Sequence, residues 1–135
     1  EKVLDYLVEE SESYDDSELT LEKAKQICVE YMTQSFTFLN PQKLIEPLWK
    51  FSSSLLKNEE NYSQAINLLM HIAGMFERSL RQDTLVAPQE ELEMTEQSET
   101  FKQLEQSLNL LSGTFQIEMP KDEVYYLQQL LAYQE

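Results

Sequence analysis

One side chain here combines nucleophilicity with a charge that changes near neutral pH: the single histidine, His71. A neutral imidazole nitrogen attacks electrophiles such as phosphoryl groups, and its protonation shifts within the physiological range. Leu68 to Leu80 reads as one amphipathic helix, with Ile66, Leu69, Met70, Ala73, Phe76 and Leu80 at the three-and-four spacing of a buried stripe. His71 lies off that stripe. It lines up with Gly74, Met75 and Arg78, at i, i+3, i+4 and i+7, on a second face. A glycine one turn on leaves space beside the imidazole for another molecule. An arginine two turns on offers a planar fork suited to a phosphoryl group. Against this, a lone helical histidine is more often packed or solvated than reactive, so spacing alone leaves both readings open.

The elements that would carry these residues are helical. Gly and Pro are scarce, with 2 and 4 residues in 135, which argues against the many turns of a β-sandwich. Glu1 to Glu10 forms a short helix or an N-terminal linker that continues through residue 19, with an acidic, polar stretch from Ser11 to Glu18. Thr20 caps a first long helix over Leu21 to Phe38, whose apolar set is Ala24, Ile27, Cys28, Tyr31 and Phe38. Asn40-Pro41 starts a second helix, to about Lys57, striped by Leu44, Leu48, Phe51 and Leu55. Pro47 must kink that helix or delay its start. The third helix, Tyr62 to Arg81, carries His71. A long acidic connection with Pro88 follows, either mobile or partly helical. A fourth helix spans Ser98 to Ser112, striped by Phe101, Leu104, Leu108 and Leu111 and stopped by Gly113. Pro120 opens the last, with Asp122 and Glu123 in its first turn, where the helix dipole favours anions. Val124, Leu127, Leu130 and Leu131 are its buried side. The expectation is an all-α, single five-helix bundle over residues 20–135.

The totals exclude several function classes. The formal charge of −15 opposes binding of nucleic acid or anionic membrane, since phosphate contacts need clustered Lys and Arg. From Asp83 to Glu99 there is no basic residue at all. A single cysteine, Cys28, excludes an intramolecular disulfide and a cysteine-based zinc site, and no metal or cofactor motif is present. The absence of a long apolar run or signal segment points to a cytoplasmic protein. Opening at Glu1 without a methionine points to a piece of a longer chain.

Two motifs resemble those of the PTS regulation domain, or PRD. Met70-His71-Ile72 with Phe76-Glu77-Arg78 is similar to that family's histidine helix. Phe115 to Leu127, with Pro120-Lys121-Asp122-Glu123 at its centre, is similar to its second hallmark, an extended link and a proline before Asp-Glu and the last helix. Phe38-Leu39-Asn40-Pro41 and Gly74-Met75-Phe76-Glu77-Arg78 look most like the C-terminal PRD of sigma-54-dependent activators of the levanase-operon type. The resemblance implies a five-helix bundle that pairs as a homodimer. It also implies a regulatory domain, not an enzyme, that sugar phosphotransferase proteins (HPr or an enzyme IIB) phosphorylate on histidine to set transcription. On this resemblance His71 is the phosphorylation site, while Arg78, Asp122 and Glu123 bind phosphate or support the structure. Leu130 stands where many PRDs carry a second histidine, and Met70 where antiterminator PRDs often carry an aspartate.

Along a helix, Arg78 lies about 10.5 Å from His71. It must reach back to touch a phosphoryl group, so pairing with Asp122 or Glu123 is the favoured role. Three other classes compete. A plain helical dimerisation or interaction module would leave His71 buried or incidental. An enzyme would need more than acidic pairs such as Glu77 and Asp122, which abundant surface Glu makes uninformative. A phosphorelay histidine-transfer domain would place basic residues close around its histidine, whereas Arg78 and Arg81 lie only downstream.

Overall fold

The computed structural model describes residues 19–133. The expected helix over Glu1 to Glu10 and the acidic stretch after it lie outside the described residues. Six helices form: α1 Leu21–Ser35, α2 Pro41–Ser54, α3 Tyr62–Leu80, α4 Gln89–Thr95, α5 Glu99–Thr114 and α6 Lys121–Tyr133. The all-helical expectation stands, with one helix more than the five anticipated. The additional element is the short α4, formed inside the acidic connection. Proline at its N-cap and Glu90 and Glu91 in its first turn favour a helix start there. The described residues divide into two compact units, one up to Ala73 and one from Gly74 on, with the division inside α3.

In the first unit, α1 packs on α2. Thr20 caps α1 by accepting the Lys23 N–H at 3.1 Å. Ala24, Cys28 and Met32 form the buried face of α1. This helix ends at Ser35, not Phe38, because Phe36 turns extended, and Phe38 is 59% exposed. Asn40 caps α2 through its side chain, accepting from Gln42 N (3.1 Å) and Lys43 N (3.4 Å). That double cap starts α2 at Pro41 and leaves Pro47 inside the helix, where it has no N–H for the carbonyl one turn back. The Ser53 and Ser54 hydroxyls donate to the Lys50 and Phe51 carbonyls of the last turn. The buried face of α2 is Leu44, Ile45, Leu48, Trp49, Ser52 and Ser53, rotated from the expected stripe, with Phe51 and Leu55 only half-buried. Trp49 meets Tyr62 at the start of α3, ring centroids 6.2 Å apart. Asn61 caps α3 by accepting the Gln64 N–H at 3.2 Å.

In the second unit, α4 and α5 both pack on α6. Ser98 caps α5 through the Phe101 N–H at 3.1 Å, and Phe101, Leu104, Leu108 and Ser112 line its buried side. Gly113 does not stop α5. The helix runs on to Thr114, and Gln116 takes the left-handed conformation (φ 59). Ile117 N donates to Ser112 O at 2.9 Å and Gln116 N to Gly113 O at 3.0 Å, which is a Schellman closure. The end of α3 repeats it with Gln82 (φ 57), Asp83 N donating to Arg78 O and Gln82 N to Ser79 O. On α6, Val124 and Leu127 are buried as expected; Glu123 and Tyr125 join them, and Leu130 and Leu131 are only half-buried. No helix among the described residues is long and apolar enough to cross a membrane.

Candidate functional site

A helix apolar on one stripe needs one buried face. Over its middle, α3 is buried nearly all round. Every residue from Leu68 through Glu77 is buried except one: His71, which keeps part of its surface exposed. The second face predicted for His71 is therefore a buried face, with Gly74 and Met75 closed off, and the chemistry-bearing residue alone stays accessible in that stretch. Leu80, expected in the core stripe, is 39% exposed at the end of the helix.

The space beside Gly74 is not left for another molecule. A side-chain carbon built on Gly74 would lie 3.5 Å from Arg78 Nη1, so the guanidinium reaches back over the glycine. Its other nitrogens are committed elsewhere. Arg78 Nε and Nη2 donate to Glu123 Oε2 and Oε1 at 2.9 and 2.8 Å, a bidentate pair between α3 and α6. The Glu123 side chain is fully buried and that of Arg78 is one-third exposed. A buried carboxylate is tolerable only with a cation and with its remaining lone pairs filled. Here Leu85 N donates to Glu123 Oε2 at 2.9 Å as a third bond.

Asp122 does the adjoining work. Its Oδ2 accepts the Ala87 N–H at 2.8 Å. Together the two acids of the first turn of α6 hold the segment after α3 by its backbone, where the helix dipole already favours negative charge. Tyr126 OH donates to Val86 O at 2.9 Å and Tyr125 OH to Glu91 Oε2 at 2.5 Å. Donation to the Glu91 carboxylate, with burial adding to it, pushes the Tyr125 phenol up to about 12. Lys121 and Glu96 stand 3.8 Å apart at the edge. The structure thus brings Arg78, Asp122 and Glu123 into one assembly within the second unit, and the position of His71 is fixed in the first.

The sequence reading missed the other half of this assembly. Backbone groups of Leu85 and Ala87 carry no sequence signal. The signal that was there is Pro88 followed by Glu90 and Glu91, a helix start that would have placed α4 and with it Glu91 near α6. Cys28, read as a small buried residue, is fully buried, and burial pushes its thiol up to about 12, which leaves it unreactive at neutral pH. Among the described residues no group of three or more His, Cys, Asp or Glu side chains is arranged to hold a metal ion.

No curated protein and no solved structure gives a significant match to the chain. A family model described as the PRD domain matches residues 46–134, which takes in α3 with His71 and α6 with Asp122 and Glu123. PRD domains are regulatory, not catalytic, and belong to transcription regulators controlled by the sugar phosphotransferase system. With most of its length matched, from within α2 to the end of α6, this chain belongs to the PRD family.

Proposed function

We propose that this chain is the sugar-responsive regulatory domain of a bacterial transcription regulator, and that His71 is its phosphoryl acceptor. The observation that carries this reading is the solvent access kept by His71 alone between Leu68 and Glu77. In-line transfer needs an exposed neutral imidazole nitrogen and a donor that can approach it. HPr or an enzyme IIB supplies the phosphoryl group and most of the catalysis; this domain is the substrate. The imidazole lone pair forms the new N–P bond as the donor's N–P bond breaks, and the other ring nitrogen keeps its proton. Because Arg78 is engaged with Glu123 by two hydrogen bonds, its role in this reading is support of the fold.

The domain works as a homodimer in the cytoplasm, within an activator of the sigma-54-dependent, levanase-operon type. Phosphorylation adds about 1.5 to 2 negative charges by analogy with other phosphorylated side chains. On a chain already at −15, that charge shifts packing between copies, a local electrostatic event with a distant readout.

The test is incubation of the chain with enzyme I, HPr, an enzyme IIB and labelled phosphoenolpyruvate, leaving out one carrier at a time. Acid-labile, base-stable label is the expected result, and the carrier whose omission abolishes it is the donor. A folded chain that takes no label from any carrier would make this a dimerisation module that kept the fold and lost the switch.

A further inference from the structure

The segment after α3 turns apolar side chains to solvent while its backbone is tied down. Val86 is 75% exposed and Leu85 42%. Three consecutive residues are nonetheless held by α6 through the main chain. Leu85 N donates to Glu123 Oε2 at 2.9 Å, Val86 O accepts from Tyr126 OH at 2.9 Å, and Ala87 N donates to Asp122 Oδ2 at 2.8 Å. Ala87, 2% exposed, is the inward side chain of the three. Tyr126, 37% exposed, stands beside Val86 through the bond to its carbonyl. The result is a small apolar surface with a tyrosine at its edge, fixed in one conformation within the second unit. Exposed apolar side chains grouped inside a polar rim mark a contact surface, and one that is ordered in advance loses little entropy on docking.

The rim says what fits. Asp83 and Glu90 are exposed on the two sides of this segment, and no basic residue occurs from Asp83 to Glu99. Arg81 precedes that run, so the segment's own flanks are acidic. Two copies of this chain meeting here would set the same acids against each other, a like-charge juxtaposition that opposes pairing. A surface with Lys and Arg around an apolar centre would instead match both the centre and the rim. We propose that Leu85, Val86 and Tyr126 form the centre of a docking surface for a protein partner of that chemistry: an apolar contact rimmed by Lys and Arg. An interface built on so small a centre suits a transient partner, and the acidic rim sets how fast that partner arrives and which partner is accepted. The surface does not depend on His71 being the phosphoryl acceptor.

The probes are HPr and an enzyme IIB, both unphosphorylated. Each is titrated into the isotope-labelled full chain, and the backbone amide signals are followed by NMR at low and high ionic strength. With one of the carriers, the signals of Leu85, Val86 and Tyr126 are expected to move most, and high salt is expected to weaken binding. Val86→Ser should weaken it about tenfold; the side chain is largely outside the core, so this variant keeps the fold. Leu110→Ser, at a site on α5 that is 73% exposed, should leave binding unchanged. Glu90→Lys should weaken binding and reduce its salt dependence. The proposal is overturned if neither carrier binds, if the shifted signals lie elsewhere, or if Val86→Ser binds as well as wild type. It is also overturned if these signals move with the concentration of the chain alone, which would give the surface to a second copy. A carrier that binds here but never labels the chain would uphold the surface and sink the reading of His71. Label from a carrier that binds elsewhere would do the reverse.

Discussion

His71 and Arg78 lie on one helix, two turns apart, and the fold treats them in opposite ways. Around His71 the residues from Leu68 to Phe76 are buried and apolar, and His71 alone in that stretch is partly exposed. Around Arg78 the polar groups are engaged: its guanidinium grips Glu123, Glu123 also holds Leu85 N, and Asp122 holds Ala87 N. The first arrangement leaves His71 partly accessible amid a buried stretch of helix. The second uses charges to fix a chain segment against α6. A histidine and an arginine at i and i+7 look like one phosphate site in the sequence. In the structure the arginine's hydrogen-bonding capacity is largely spent on the frame.

That contrast is breakable by substitution, and the frame should break hardest. Arg78→Leu leaves the buried Glu123 carboxylate without its cation, and denaturant titration should show a loss of about 3 kcal/mol. The partial exposure of Arg78 puts it at the low end of what stripping a buried pair costs. A loss under about 1 kcal/mol would mean the pair behaves like a surface ion pair. Asp122→Ala removes one acceptor and leaves the Ala87 N–H unmatched, for a loss of about 1 kcal/mol in the same titration.

At the helix ends the effect should reverse sign. Gln116 holds the left-handed position that glycine fills without strain, so Gln116→Gly should stabilise by about 0.5 to 1 kcal/mol. Gly113 sits inside α5 with open space where a side-chain carbon would stand, so Gly113→Ala should add a similar increment. His71→Gln, by contrast, should change stability by less than about 1 kcal/mol. A larger loss would turn His71 into a packing residue and erase the difference between the two regions. A further effect is confined to alkaline solution. The hydrogen bond that the Tyr125 phenol donates to Glu91 holds it up at about 12 in the folded chain, above its ordinary value of about 10. A raised folded value means the contribution is complete below pH 10 and is lost as pH climbs through 12. Tyr125→Phe should lack that decline, as followed by melting temperature against pH.

How far the sequence revealed this depends on the kind of signal. Helix starts were legible because a capping side chain is itself the mechanism: Thr20 and Asn40 accept the expected backbone N–H groups, and Ser98, read as the first residue of its helix, is its cap. Stops were less so, because glycine was the signal sought, and glutamine takes that conformation at Gln82 and Gln116. Faces were partly legible. Periodicity fixes which residues share a side, but Phe38 and Leu80 are exposed because of what lies opposite them, which no window of sequence contains. Of the site residues, His71, Arg78, Asp122 and Glu123 stood out by type and motif. The backbone groups of Leu85 and Ala87 that the acids hold did not.

The central claim is that the accessible histidine accepts the phosphoryl group. It is the chain's only histidine, so the assay has a single address. The most direct measurement is phosphate incorporation and its acid lability on wild type and His71→Ala, both shown to be folded, under one complete set of carriers. The account predicts acid-labile label on wild type and none on His71→Ala. Equal label on both chains, or label that survives acid, would contradict it.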